Sequence, residues 1–234
     1  MMRKLLILVI FNIDLLSGCK SKPVPGPVVP VRHYADCGIN LLDCRVGGTI
    51  KGGRVAKENA LPWLVYVYSI DENEGKICGG SLITPRYVMT AAHCVAHRTV
   101  NDTAVVLGEN FVDVELNLQT TNFAYLAHID IYPRYNRGVK EDLKNTPDVA
   151  LLQLEITVEF GPTMNAICLP TSPYRLYEDE LMVVAGWGGT ENNEISSKKL
   201  METNVKVYPN KKCKTWGGYK YYKFLKRYWI TFKD

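Results

Sequence analysis

The chain has 234 residues, 28 Lys and Arg against 24 Asp and Glu, and a formal net charge of +4. That length buries one good core or two small ones and leaves room for little else. So mild a charge gives neither a nucleic acid nor an acidic membrane surface an electrostatic footprint, so neither is expected as a partner.

The N-terminus places Met1-Met2-Arg3-Lys4 before the apolar run Leu5 to Phe11, the pattern of a secretory leader. The run is too short to span a bilayer. Asp14 interrupts it, and Leu16-Ser17-Gly18 offers small residues for cleavage, so 1–18 reads as a signal peptide. Leu16-Ser17-Gly18-Cys19 also suits a lipoprotein signal with Cys19 lipidated, the plainer reading being a chance cysteine at the cut. Seven cysteines behind such a leader suit disulfides in an oxidising compartment. No CxxC spacing occurs, no metal-ligand cluster stands out, and neither a metal nor a cofactor is expected.

Residues 19–49 form a spacer or pro-segment, with Pro23, Pro25, Pro27 and Pro30 favouring an extended, solvated course. Strand-like alternation starts at Trp63 and runs through Leu64-Val65-Tyr66-Val67-Tyr68. Further short β runs follow at Ile77 to Ile83, Tyr87 to Thr90, Ala104 to Leu107, Ala124 to Tyr132 and Asp148 to Leu154. These suffice for one antiparallel barrel. Leu181 to Gly186 and Met201 to Tyr208 read as the first strands of a second, and no amphipathic helix of useful length appears. Asn101-Asp102-Thr103 is a glycosylation sequon, with Asn101 as the acceptor. After Cys213 comes Trp216-Gly217-Gly218-Tyr219, and 220–234 is a basic, aromatic tail.

Five short motifs stand in order along this pattern. They are Gly52-Gly53 with Ala56 and Pro62-Trp63, then Cys78-Gly79-Gly80-Ser81-Leu82-Ile83, then Thr90-Ala91-Ala92-His93-Cys94, then Asp148-Val149-Ala150-Leu151-Leu152, and last Ala185-Gly186-Trp187-Gly188. In that order and spacing they resemble the chymotrypsin/trypsin-like serine endopeptidases. The resemblance covers about Cys37 to Trp216 and implies an all-β fold, a chymotrypsin-like double antiparallel barrel in residues 50–219. It implies peptide-bond hydrolysis outside the cell by a monomer, with protein or peptide substrates or protease inhibitors as partners.

Carried over residue by residue, His93 matches the general base and Asp148 the buried carboxylate that orients it. Ile50 matches the residue that becomes a new N-terminus on activation, although Thr49 before it is not a trypsin-type site. Arg45-Val46-Gly47-Gly48 has the better composition for a junction but lies too early for the spacing. Cys78 and Cys94 match the disulfide that pins the histidine turn. Cys37 matches a pro-segment cysteine and Cys168 its usual partner, with Cys44 competing.

The serine motif Gly-Asp-Ser-Gly-Gly does not occur in the chain. Ser81 matches a structural strand residue, and Ser172, Ser196 and Ser197 lack a glycine elbow. The expectation is a C-terminally truncated, inactive form whose second barrel keeps about two of six strands, with unpartnered apolar edges and a stranded Cys213. The rival expectation is a non-catalytic secreted homologue that acts as a binding or decoy protein.

Overall fold

The structure is a computed structural model. It describes residues 9–12 (backbone only), 37–38, 53–70, 75–109, 122–133, 135, 147–170, 177–187 and 199–208. Ile50, Cys19, Cys44, Cys213 and the basic tail lie outside the described residues.

Ten strands are present among these residues: β1 (Val9–Asn12), β2 (Arg54–Val55), β3 (Leu64–Ile70), β4 (Gly75–Thr84), β5 (Tyr87–Thr90), β6 (Thr103–Val106), β7 (Phe123–Ile131), β8 (Ala150–Leu154), β9 (Leu181–Gly186) and β10 (Met201–Lys206). Among the described residues the helical elements are one four-residue helix, α1 (Ala92–Val95), and one 3-10 turn (Val100–Asp102). Among the described residues no helix is long and apolar enough to cross a membrane.

Six strands close a barrel in the order β3-β4-β5-β8-β7-β6, with β6 returning to β3. Every pairing is antiparallel. Closure follows from alternation. On β8 the burial pattern runs buried, partial, buried, partial, buried, so Ala150, Leu152 and Leu154 point inward. They meet Leu82, Val88, Val105, Ala124 and Leu126 in one apolar core. Leu82, Val88, Leu152 and Leu154 are wholly excluded from solvent, and each such side chain contributes roughly 1.5–3 kcal/mol of transfer free energy.

Gly80 is needed where β4 crosses β5. A Cβ there would meet Val88 Cγ1 at 3.0 Å and the Met89 carbonyl at 3.2 Å. Thr90 helps hold this corner by donating its hydroxyl hydrogen to the Gly79 carbonyl at 2.8 Å.

A second, four-stranded sheet has the order β1-β9-β10-β2. It packs on the barrel through a cluster of Trp63, Leu64, Tyr66, Val183, Ala185, Trp187 and Leu200. The rings of Tyr66 and Trp187 lie 3.9 Å apart between centroids. Burial raises the Tyr66 hydroxyl's pKa above its ordinary value, with the nearby Glu109 charge adding to the effect.

Three short elements depart from the sequence reading. The histidine turn is a helix, because Ala91–Val95 closes one hydrogen-bonded turn from Ala92 to Ala96. Arg54–Val55 forms a strand on β10, held by the Arg54–Glu202 ion pair at 2.6 Å. Val9–Asn12, inside the segment read as a leader, pairs with β9, so one edge of the second sheet's apolar strands is covered.

Candidate active site

The barrel seam between β5 and β8 builds the site. Its ladder ends at the pair Thr90↔Ala150. Two residues beyond Thr90 the chain enters α1, and two residues before Ala150 stands Asp148. In an antiparallel ladder those positions remain opposite each other, which brings His93 to Asp148 across 55 residues of sequence.

The contact is two-pronged. The His93 backbone N–H donates to Asp148 Oδ1 at 2.8 Å, and the ring Nδ1–H donates to Oδ2 at 2.6 Å. A carboxylate that accepts at Nδ1 selects the tautomer whose Nε2 carries a lone pair, the form required of a general base. Burial pushes the Asp148 pKa up, but the hydrogen bonds from His93, the His93 charge and the Ala92 backbone outweigh it and hold the carboxyl below its ordinary range. The carboxylate was expected to be buried. Instead its side chain is 37% exposed while that of His93 is 17% exposed, because Asp148 sits on the extended rim before β8 rather than in the strand.

Cys78 and Cys94 are joined by a disulfide over a sequence separation of 16. Both are buried in the barrel core. The bond ties α1 to β4, and Cys94 Sγ lies 3.4 Å from His93 Nε2. The sulfurs of Cys78 and Cys94 and a His93 ring nitrogen fall within 4.8 Å of one another, but two sulfurs bonded to each other are not thiolate ligands.

His97 stands four residues after His93, a spacing that puts two ligands on one helical face and that the sequence reading overlooked. The helix stops at Val95 and His97 has φ +70°. It is exposed and turned out of the group around His93.

A second disulfide joins Cys37 to Cys168 over a separation of 131. The Gly38 N–H donates to the Ala166 carbonyl at 2.7 Å beside it. Ser81 is buried on β4 opposite Leu64 and Met89, the place of a strand residue in the barrel wall. Ser172, Ser196 and Ser197 lie outside the described residues. Asn101 is exposed on the 3-10 turn, next to Asp102, whose carboxylate accepts from the Thr99 hydroxyl at 2.7 Å. The described residues thus hold an oriented base with its carboxylate and no nucleophile beside it.

The family described as Trypsin matches residues 50–228. Venom serine protease 34 of Apis mellifera is 30% identical over 205 residues, covering 87% of this chain and 47% of that protein. Chymotrypsin-C of Bos taurus is 28% identical over 189 residues, covering 80% of this chain and 68% of its own. Among solved structures, a scabies mite inactivated protease paralogue superposes with a TM-score of 0.61 at 27% identity, over 74% of this chain and 70% of the other. The chain spans about half the length of the venom relative.

Proposed function

Because the chain belongs to the trypsin family of serine proteases, we propose that its site is the base half of a secreted serine endopeptidase, and that residues 1–234 bind protein ligands without cleaving them. The observation that carries this is the paired contact of Asp148 with the backbone and ring of His93. In the hydrolytic mechanism such a base takes the serine proton during attack on the scissile carbonyl and returns it to the leaving amine. The Asp148 carboxylate fixes the tautomer and stabilises the imidazolium formed in between.

Nothing in these residues supplies the attacking oxygen within the motif the mechanism uses, since Gly-Asp-Ser-Gly-Gly is absent from the sequence. Loss of one triad member removes most of the rate. The likeness to a mite paralogue described as inactivated favours the same reading. The two disulfides among the described residues of this chain support secretion into an oxidising compartment, as does the resemblance to a venom protease. Protein substrates and protease inhibitors are the ligand class that a trypsin-family surface presents itself to, and Ile50 is proposed as the residue that follows the activation cut.

A fluorophosphonate probe, which labels an activated serine, tests this on the protein secreted on expression of residues 1–234. No labelling and no hydrolysis of peptide ester substrates, with retained capture of a macromolecular trypsin inhibitor, is the expected result. Labelling of any serine within residues 1–234 refutes it.

A further inference from the structure

β9 is not an edge strand by composition. Its residues Leu181-Met182-Val183-Val184-Ala185-Gly186 form a nearly continuous apolar run, the pattern of a strand covered on both faces. The burial agrees. Val183 and Ala185 enter the cluster that faces the barrel, while Met182 and Val184 enter a separate cluster with Val205 and Val207. All four are at most 7% exposed.

A strand with both faces covered and one edge open would leave every second N–H and C=O without a ladder partner, in a place where little water reaches them. β10 covers one edge, from Met201↔Gly186 to Lys206↔Leu181. On the other edge lies β1, antiparallel, in the register Val9↔Ala185, Ile10↔Val184, Phe11↔Val183 and Asn12↔Met182. β1 is the outer strand of this sheet, and it approaches β4 of the barrel.

We propose that the edge of β9 opposite β10 is a strand-accepting site for an extended apolar peptide, and that Val9–Asn12 of the same chain is its occupant. The apolar run at the N-terminus then has two consecutive uses. It has the pattern of a secretory leader, and while attached it is the outer strand of the second sheet. Its removal leaves a site that takes another β-prone apolar strand in the same direction. The proposal stands on the ladder and on the burial of β9, independently of whether the chain cleaves peptides.

The test uses the full chain. The pair Phe11→Cys and Val183→Cys lies directly opposite in the ladder, at a Cα separation that suits a disulfide. Mild oxidation is expected to cross-link residue 11 to residue 183 in the folded double variant. A Leu6→Cys, Val183→Cys control is expected to give no such peptide in the mass spectrum. Absence of the 11–183 cross-link overturns the proposal.

Hydrogen exchange gives a second reading, on a variant carrying I10P and F11P, since proline donates nothing to a ladder. The β9 amides that face β1 are expected to exchange at least about tenfold faster, with barrel amides at Val88 and Leu152 unchanged. A free peptide of sequence Ile-Leu-Val-Ile-Phe-Asn-Ile-Asp, residues 7–14, restores the slow rate. Equal exchange with and without the prolines, or fast exchange that the peptide leaves unaltered, refutes the site.

Discussion

Replacing both Cys78 and Cys94 by alanine removes the bond that ties the histidine helix to β4, and its cost follows from the structure. The bond closes a separation of 16 residues. In the chain-entropy model this restricts the unfolded state by about 10 cal/mol/K, or ~3 kcal/mol at room temperature. Cys78 and Cys94 are also packed in the barrel core, so trimming both sulfurs adds about 1 kcal/mol of lost contacts. The expected loss is therefore ~4 kcal/mol in urea unfolding, with a somewhat steeper dependence on urea concentration, because the unfolded chain without the cross-link exposes more surface. A loss below about 2 kcal/mol refutes the reasoning, because it means the loop is already held together in the unfolded chain. Proton NMR of the His93 ring supplies the local readout. The Nδ1 proton shared with Asp148 over 2.6 Å is expected downfield in the parent and weakened in the variant, as α1 loses its anchor.

Asp148→Asn tests the pH dependence. A carboxyl held below its ordinary value stabilises the fold above the unfolded pKa, and that contribution is lost as pH falls through the folded one. Melting temperature against pH is thus expected to show a shallower acid limb for Asp148→Asn. At neutral pH the loss is about 1 kcal/mol, discounted because the carboxylate is partly exposed. Leu152→Ala empties a wholly buried position at the centre of β8, with an expected cost of ~3 kcal/mol by denaturant unfolding. Arg54→Ala leaves the Glu202 carboxylate buried without its guanidinium, at a cost of ~2 kcal/mol because Arg54 itself is half-exposed; a double Arg54→Met, Glu202→Leu variant is expected to recover most of it. Expression in a eukaryotic secretory host is expected to add one endoglycosidase-sensitive glycan, abolished by Asn101→Gln and read as a shift in mass.

What could be read in the sequence was whatever repeats with period two. Tyr87 to Thr90 and Leu181 to Gly186 are legible with the bounds the structure has, since Pro85 precedes the first run and the acidic Glu178-Asp179-Glu180 the second. The Asp148 run begins as a strand only at Ala150: the Val149 carbonyl still accepts from the Tyr132 N–H at 3.0 Å, while the Asp148 side chain is turned to His93. Short elements escaped for the opposite reason. Four residues of helix and two of strand at Arg54–Val55 are shorter than any period that could announce them, and both are held by tertiary partners instead. Pairing of Cys37 with Cys168 was open to competition from Cys44, because connectivity depends on where the chain brings the residues together and not on their order. His93 and Asp148 were legible only through resemblance. Their separation of 55 residues becomes a contact through the β5–β8 ladder, which no local pattern records.

That ladder gives the dyad a duty apart from chemistry. Sliding β5 against β8 by two residues would keep every side chain on its own face, yet carry Asp148 roughly 7 Å along the strand and break both of its bonds to His93. The carboxylate thus acts as a latch on the barrel's closing seam, favouring one alignment over its nearest competitor. A lineage that gave up peptide cleavage would still be held to this His and this Asp by the need to close the barrel correctly. Their presence in a sequence is therefore weaker testimony to catalysis than their place in a triad suggests.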